Sequence, residues 1–319
     1  MNLRPTVAAL GGGHGLAASL SALRLMTDKI TAIVTVADDG GSSGRLRSEL
    51  QVLPPGDLRM ALAALCDDSE WGTTWRDVMQ HRFSTDGALD QHAMGNLLIV
   101  TLWELLGDSV AGLDWVGRLL GARGRVLPMS TIPLSIEADM TQNGEHFTVA
   151  GQSLVASTHG QVEHLRLIPT DPPACPEAVA AVYAADWVIL GPGSWFSSVM
   201  PHLLVPELSR ALHTTTAKLC VTMNLSGGDT ETTGMAAADH LAALRHHAPE
   251  LRVAAVLADP SAVEDTDALV AEAALLGATV LFRQVRRGDG SATHDPLRLA
   301  AAYQDVFDNF LGDVGTLSS

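Results

Sequence analysis

Two adjacent carboxylates stand where a buried strand would end. The apolar residues 30–37 precede this acidic pair, and a loop of glycine and serine follows it before two arginines. Carboxylates at the carboxyl end of a strand, beside open backbone N–H groups, suit ribose hydroxyls or a hard cation together with phosphate oxygens. A solvated turn is the plain alternative, but ligands of open α/β sheets bind at this edge. The candidate ligand-binding residues here are Asp38, Asp39, Gly41, Ser42 and Ser43.

A glycine cluster upstream is typical of a phosphate site. The apolar residues 6–10 precede it, and Leu16, Leu20 and Leu23 follow it at helical spacing. Such a turn at a helix N-terminus binds anions because its N–H groups are free, the helix dipole is positive there and no Cβ atoms obstruct the approach. A tight turn without a ligand is the alternative. The candidate residues are Gly11, Gly12, Gly13, His14 and Gly15.

The spacing of these glycines excludes two common motifs. Leu16 occupies the position of the third glycine in the dinucleotide fingerprint, and no Lys-Ser/Thr pair follows as in a P-loop. With Asp38 after the next apolar run, the order is nevertheless strand, glycine loop, helix, strand and acid. This order is typical of a mononucleotide-binding half.

Polar loops follow two later apolar runs. The run 187–190 leads into small and hydroxylated residues that suit phosphate or sugar, although a sharp strand–helix turn explains the same pattern. The run 219–223 leads into a polar loop at 224–229 that suits sugar hydroxyls or a lid, or is an ordinary exposed loop. The candidate residues are Gly191, Pro192, Gly193, Ser194, Ser197 and Asn224.

The periodicity of the apolar residues predicts an α/β fold. Two strands with helical connections and a run of helices occupy residues 1–120, and four later apolar runs alternate with helices. The pattern predicts one Rossmann-like domain over 1–319, with a mostly parallel sheet covered by helices on both faces. Between 127 and 168 the residues alternate around an Asn143-Gly144 turn, which predicts a small antiparallel β-rich insertion.

Residues outside these loops are assigned structural roles. Asp57 follows Pro-Pro-Gly and is predicted to be the N-cap of the next helix. The widely spaced Cys66, Cys175 and Cys220 are expected to be buried free thiols. The histidines show no metal-ligand spacing, so we expect no zinc site.

Composition narrows the class of protein. With 319 residues, 47% of them apolar, the chain can bury one large core. No apolar run reaches the ~20 residues that span a bilayer. The glycine loop comes too early for a signal peptide, and we expect a cytoplasmic location. The net charge of −16 argues against nucleic acid or an anionic membrane as a partner, so helix ends and a few arginines must hold any anionic ligand.

Four motifs carry a resemblance to a known family. The stretches LGGGHGL, ITAIVTVADDGGSSGRLRSEL, LPPGDLRMALAAL and GPGSWFSSV are similar to the YvcK-type gluconeogenesis factors of an actinobacterial kind, relatives of the CofD-like 2-phospho-lactate transferase superfamily. The resemblance covers nearly the whole chain. It implies a cytoplasmic protein needed for cell shape and peptidoglycan synthesis on gluconeogenic carbon sources. It also implies a UDP-sugar ligand such as UDP-N-acetylglucosamine, without an established catalytic activity.

The resemblance also bears on single residues. Asn96 matches a Gly-Asn position near the ligand, with a helix cap as the alternative role. His14 stands where many relatives carry Thr. Thr293 stands where many relatives use an Arg on the ligand, and Ala273 where Tyr is common, which leaves the preferred sugar open. We also expect a homodimer and a cell-wall regulatory protein as partner.

Three functional classes compete. The first is a UDP-sugar-binding regulator whose occupancy reports the level of cell-wall precursors. The second is a transferase in which paired aspartates hold Mg²⁺ while an acceptor hydroxyl attacks a nucleotide-linked phosphate. Five small residues after Asp39 argue against a deazaflavin acceptor. The third is an NAD(P)-dependent enzyme, against which the glycine spacing argues. No nucleophile–base pair stands at a diagnostic spacing, so the sequence favours the regulator and specifies no reaction.

Overall fold

Strands and helices alternate along most of the chain. The computed structural model describes residues 4–225, 230–232 and 234–309. The strands are β1 (Val7–Gly11), β2 (Ile30–Val34), β3 (Arg125–Pro128), β4 (Ser135–Gln142), β5 (Glu145–Ala150), β6 (Gln161–Ile168), β7 (Trp187–Leu190), β8 (Lys218–Thr222), β9 (Ala255–Ala258) and β10 (Thr279–Phe282). The helices are α1 (Gly13–Leu23), α2 (Gly41–Leu50), α3 (Pro55–Leu65), α4 (Glu70–Gln80), α5 (Met94–Leu106), α6 (Ser109–Leu120), α7 (Gln152–Ser157), α8 (Pro176–Ala184), α9 (Pro206–Thr214), α10 (Ala237–His247), α11 (Thr266–Leu275) and α12 (Pro296–Phe307).

The main sheet has seven parallel strands in the order β10-β9-β8-β7-β1-β2-β3. From the central pair the chain builds outward in opposite directions, through β1 to β3 on one side and β7 to β10 on the other. The strand order therefore reverses between β1 and β7. In open α/β sheets the crevice outside the carboxyl ends of such a pair binds ligands. The predicted Rossmann-like parallel sheet is confirmed.

The strands form the centre of the core. Every residue of β1, β7 and β9 is buried, which agrees with their nearly uninterrupted apolar sequences. Right-handed crossovers place α1, which joins β1 to β2, on the face opposite α9, which joins β7 to β8. On these faces α1 packs against α3 and α12, and α8 packs against α9. The predicted helical cover on both faces follows from this arrangement.

The starts of the helices differ in one respect that matters for the site. Helices α3, α8, α9 and α12 each begin with proline, whose missing N–H group costs nothing at the first helical position. Helix α1 follows Gly12, which has no side chain to cap it, and its first turn contains no acidic residue. The first turn of α1 therefore presents its N–H groups to whatever lies in front of it.

The insertion is a three-stranded antiparallel sheet in the order β5-β4-β6. Asn143 and Gly144 both have positive φ, 53° and 83°, as a two-residue hairpin turn requires, so the predicted turn is confirmed. Two details of the predicted segment 127–168 were wrong. Leu127 belongs to β3, because it pairs with β2 at the edge of the parallel sheet. The alternating strand pattern is also interrupted after β5, because Gly151, with φ of 103°, turns the chain into the short helix α7.

Two further predictions bear on the core and on the class of protein. Cys66, Cys175 and Cys220 are free and buried, as expected. Among the helices of the described residues, none combines the length and the apolar character needed to cross a bilayer.

Tyr303 connects α12 to the strands beside the cleft described below. Its hydroxyl lies 2.7 Å from Ser19 Oγ and 3.0 Å from Thr222 Oγ1. Ser19 Oγ in turn donates a hydrogen bond to the carbonyl oxygen of Gly191, at 3.1 Å. The side chain of Tyr303 is 0% exposed, so water cannot replace these bonds.

We expect Tyr303→Phe to lower the free energy of unfolding by about 1–3 kcal/mol, because two buried hydroxyls lose a partner. Urea denaturation measures this change. Tyr183→Phe is the matched control, since Tyr183 is 48% exposed and water replaces its bond to Thr214. Equal destabilisation by the two substitutions would contradict the role assigned to Tyr303.

Candidate functional site

A cleft of about 360 Å³ opens at the carboxyl ends of β1 and β7, where the strand order reverses. Its volume lies in the range of small-molecule sites. Glycine loops from both strands form its floor, and the loop before α12 and the insertion complete its walls. The lining residues are Gly12, Gly13, His14, Gly15, Ala18, Asp57, Gln152, Pro192, Gly193, Ser194, Ser198, Asn224, Leu225, Ala292, Thr293 and His294.

The first glycine loop faces the cleft with its backbone. Gly13 has φ of 55°, a conformation that glycine adopts without strain. A Cβ atom at Gly13 would have only Asp57 Oδ1 within 4 Å, at 4.0 Å, so the position borders open space. Because α1 begins here without a side-chain cap, its N–H groups and its positive dipole end point into the cleft. This arrangement suits phosphate oxygens.

The second glycine loop packs directly against the first. A Cβ atom at Gly15 would lie 2.2 Å from the carbonyl oxygen of Pro192, so only glycine permits this approach. Asn224 holds the loop in place: its Oδ1 accepts from the Gly193 N–H and its Nδ2 donates to the Gly193 carbonyl oxygen, both at 2.9 Å. Asn224 therefore positions the second loop as well as lining the cleft.

Asp57 is the residue whose predicted role was wrong. Helix α3 begins at Pro55 with Pro54 as its N-cap, so Asp57 lies within the first turn and does not cap it. Its carboxylate instead accepts a hydrogen bond from the backbone N–H of Gly13. Burial, together with the nearby charge of Asp38, raises the pKa of Asp57 to about 7. Asp57 thus titrates near neutral pH directly beside the proposed anion site.

The two adjacent aspartates of the second predicted loop have different surroundings. Asp38 is half-buried, and its Oδ1 accepts from the Gly40 N–H at 2.9 Å. Burial is the main cause that raises the pKa of Asp38, and the charge of Asp39 contributes. Asp39 is turned toward the insertion, where its Oδ1 accepts from the Ser153 N–H at 2.9 Å and satisfies the first turn of α7. Asp38 is therefore the member of the pair nearest to Asp57.

Ser42, Ser43 and Asn96 are buried beneath this loop and do not line the cleft. Ser43 Oγ accepts from the Gly56 N–H at 3.0 Å, which joins the loop to α3. Asn96 Nδ2 donates to Ser42 Oγ at 3.0 Å, so Asn96 does not have the alternative capping role. These three side chains support the site from behind.

The four predicted loops all leave the same edge of the sheet, and three of them line the cleft. The predicted residues that line it are Gly12, Gly13, His14, Gly15, Pro192, Gly193, Ser194 and Asn224. The predicted residues that lie behind or beside it are Gly11, Asp38, Asp39, Gly41, Ser42, Ser43, Asn96, Gly191 and Ser197. The polar loop predicted at 224–229 extends into residues 226–229, which lie outside the described residues.

Four polar residues of the cleft were missed by the prediction. Ser198 lines the cleft while Ser197 is turned into the core, because the segment Trp195–Val199 forms a π-helical turn that shifts the facing residue. Gln152 reaches the cleft from α7, and no local sequence signal indicates this. His294 is buried, and burial lowers its pKa to about 4, which keeps the ring neutral. Asp57 is the fourth. Its position in a motif shared with relatives was the sequence signal that could have indicated a role in the cleft.

Asp38 and Asp57 are the residues that fit a divalent cation. The charge of Asp38 raises the pKa of Asp57 beside the phosphate-binding loop, and a cation between the two carboxylates would remove that repulsion. Mg²⁺ is commonly bound by one or two carboxylates together with phosphate oxygens of a ligand. Within the part of the chain that the structure describes, no cluster of three or more His, Cys, Asp or Glu residues is arranged to hold a metal. Mg²⁺ would therefore need oxygens from a bound ligand.

Comparison with known proteins identifies relatives over nearly the whole chain. The family model of 2-phospho-L-lactate transferase CofD matches residues 7–304. A protein of Mycobacterium leprae named "Putative gluconeogenesis factor" is 52% identical over 309 residues, which cover 95% of this chain and 86% of the relative. The "Gluconeogenesis factor" of Bacillus subtilis is 38% identical over 247 residues, which cover 77% of this chain and 76% of the relative.

A solved structure has the same fold. The crystal structure of a UPF0052 family protein from Bacillus halodurans matches with a TM-score of 0.84 and 32% sequence identity. The match covers 93% of this chain and 98% of that protein. The architecture described above is therefore shared with an experimentally determined relative.

We expect Asp57→Asn to stabilise the protein at neutral pH. The folded-state pKa of Asp57 lies near 7, above its usual value of 3.8, so folding favours the protonated carboxyl group. The stability that the protonated carboxyl group contributes to the folded state is fully present below pH 3.8 and is lost as the pH rises through 7. The amide carries no charge to bury. The free energy of unfolding of the variant, relative to that of the wild type, should therefore rise by on the order of 2–4 kcal/mol as the pH increases from 4 to 8.

Urea denaturation in EDTA at a series of pH values measures this difference. Asp86→Asn, at an exposed position outside the cleft, is the control and should show no such trend. A constant difference between Asp57→Asn and wild type across the pH range would contradict the raised pKa.

Proposed function

Because this chain belongs to the 2-phospho-L-lactate transferase CofD family, among its gluconeogenesis factors, we propose that its cleft binds a UDP-sugar such as UDP-N-acetylglucosamine. The observation that carries the proposal is the meeting of two glycine loops at the reversal of the strand order. Backbone N–H groups at the start of α1 provide an anion site there, as in other nucleotide-binding α/β proteins. The choice of a uridine nucleotide and its sugar rests on the family resemblance.

The polar groups around the cleft support a ligand with both phosphate and hydroxyl groups. The N–H groups of His14 and Gly15, in the first turn of α1, suit the diphosphate. The hydroxyls of Ser194 and Ser198 and the amide of Gln152 suit sugar or phosphate oxygens. His294 is held neutral by burial, and its Nε2 has no hydrogen-bond partner among the described residues, so a ligand hydroxyl would satisfy it.

The acidic residues beside the phosphate loop need a counter-charge. A diphosphate next to an ionised Asp57 would be repelled, because both carry negative charge. Protonation of Asp57, favoured by its raised pKa, or Mg²⁺ held by Asp38 and Asp57 removes the repulsion. In either case, binding of the ligand is coupled to neutralisation of the carboxylate charge.

In the cell, we propose that the occupied cleft reports the level of a cell-wall precursor. The protein would then act as a regulator of cell shape and peptidoglycan synthesis during growth on gluconeogenic carbon sources, through a protein partner. A homodimer in the cytoplasm is the form that we propose. This role rests on the family resemblance and on the absence of a diagnostic nucleophile–base pair in the sequence.

The second candidate function is a transferase that acts on a nucleotide-linked phosphate. The closeness of Asp38 and Asp57 favours it, since this pair fits a Mg²⁺ ion beside the phosphate-binding loop. Bound Mg²⁺ supplies charge neutralisation at the phosphate that is attacked. The chain would contribute the two carboxylates, the N–H groups of α1 and a cleft that orients the nucleotide.

Gly13→Leu should abolish UDP-N-acetylglucosamine binding, with a loss of at least about 100-fold in affinity, because the new side chain fills the phosphate position. Isothermal calorimetry measures the affinity, and a thermal melt checks the fold. Gly107→Leu is the matched control: its φ is 65°, and a Cβ there meets no atom within 4 Å. Retained binding in Gly13→Leu with a native-like melt would place the anion site elsewhere.

Asp38→Asn separates binding of ligand hydroxyls from binding of a metal. If Asp38 contacts the ligand directly, the variant should bind UDP-N-acetylglucosamine about ten- to a hundred-fold more weakly, with or without Mg²⁺. If Asp38 holds Mg²⁺, wild-type binding should collapse in EDTA, and the variant's defect should vanish there. Calorimetry in both buffers distinguishes the two roles.

Incubation of the wild-type protein with UDP-N-acetylglucosamine and Mg²⁺ gives the corresponding test of catalysis. The regulator predicts no release of UDP or UMP, which chromatography would detect. Sustained release that is lost in Asp38→Asn would contradict the regulator and support the transferase.

A further inference from the structure

A second pocket, of about 460 Å³, lies next to the cleft and is lined by arginines. We name it the arginine pocket; its charged residues are Arg24, Arg59, Arg76 and Arg82. His14 borders both the arginine pocket and the glycine cleft. Four guanidinium groups around one cavity are unexpected in a chain with a net charge of −16. Their mutual repulsion favours an anionic ligand in this pocket.

Most of this positive charge is not neutralised by the protein. Arg24 forms a close ion pair with Asp68, with Nη2 and Oδ1 2.8 Å apart. Arg76 lies 3.8 Å from the exposed carboxylate of Asp77, which is a weak pair. Among the described residues, no carboxylate lies within ion-pair distance of Arg59 or Arg82, although the charges of Asp57 and Asp38 act on Arg59 from farther away. The pocket therefore retains positive charge.

Of the four arginines, Arg59 is the one whose position is best determined by its contacts. It is 4% exposed, and burial together with the charge of Arg82 lowers its pKa to about 10. Its Nε donates to Asn96 Oδ1 at 2.9 Å, while neither Nη group has a hydrogen-bond partner among the described residues. A buried cation with free donors is costly unless a ligand pairs with it.

The orientation of Arg59 is built into the fold. Asn96, which binds its Nε, donates from Nδ2 to Ser42 Oγ, and Ser42 Oγ lies 3.0 Å from His92 Nδ1. A Cβ atom at Gly95 would lie 2.8 Å from Arg59 Cδ, so the glycine allows the side chain to pass. This chain of buried groups fixes the guanidinium in a position facing the pocket.

We propose that the arginine pocket binds a second small molecule, distinct from the nucleotide, through a phosphate monoester group. A phosphate monoester carries a charge of about −1.5 to −2 and three acceptor oxygens, which match several converging guanidinium groups better than one carboxylate does. A volume of about 460 Å³ suits a metabolite rather than an extended polymer. Because His14 borders both sites, the second ligand lies beside the nucleotide.

Inorganic phosphate is the probe, and Gly13→Leu is the background, since that substitution blocks the glycine cleft. Phosphorus NMR titration should still detect phosphate binding to Gly13→Leu. Adding Arg76→Gln and Arg82→Gln should weaken this binding about tenfold or more. Arg210→Gln with Arg252→Gln is the matched control, because it removes the same charge from exposed positions outside the pocket. In an otherwise wild-type chain, Arg76→Gln with Arg82→Gln should leave the affinity for UDP-N-acetylglucosamine unchanged.

Labelling of arginines with phenylglyoxal, mapped by mass spectrometry, locates the site independently. Phosphate should protect Arg76 and Arg82 but not Arg118, which lies outside the pocket. Equal labelling with and without phosphate would overturn the proposal, as would equal phosphate affinity of the pocket and control variants. Equally tight binding of malonate would contradict the preference for phosphate. A failure of UDP-sugar binding would leave these outcomes unaffected, because they are measured with the glycine cleft blocked.

Discussion

The approach of two backbones at the centre of the sheet is the constraint on which the site depends. Gly15 and Pro192 lie so close that a single Cβ atom at position 15 would fall 2.2 Å from a carbonyl oxygen. This contact closes the gap between the loops after β1 and β7, and Asn224 holds the second loop from the other side. The N–H groups of α1 consequently face a cleft that no side chain of either loop fills.

Charge near this cleft is arranged in two opposite ways. Asp38 and Asp57 crowd the phosphate loop, while arginines surround the neighbouring pocket. The loop after β2 contributes to both arrangements. It supplies Asp38 to the first, and in the second its Ser42 binds Asn96, which in turn binds Arg59. We therefore propose that local groups rather than net charge determine where an anion binds on this acidic protein.

The sequence was sufficient to predict the parallel sheet, its polar loops and the insertion, because apolar runs and glycine-rich turns are local signals. It predicted His14, Ser194 and Asn224 in the cleft but not the other polar side chains that reach it. Asp57 has the sequence context of a cap, but Pro54 takes that position and Asp57 instead binds Gly13. Ser198 replaces Ser197 because a π-helical turn changes the period, and Gln152 arrives from an element distant in sequence. These positions depend on tertiary packing.

A crystal structure of the protein with UDP-N-acetylglucosamine would show directly whether the two glycine loops bind the diphosphate. We expect diphosphate oxygens within about 2.7–3.2 Å of the backbone nitrogens of residues 14 and 15, with the ligand lying between the two glycine loops. A nucleotide bound at another surface, with the glycine cleft free of ligand, would contradict it.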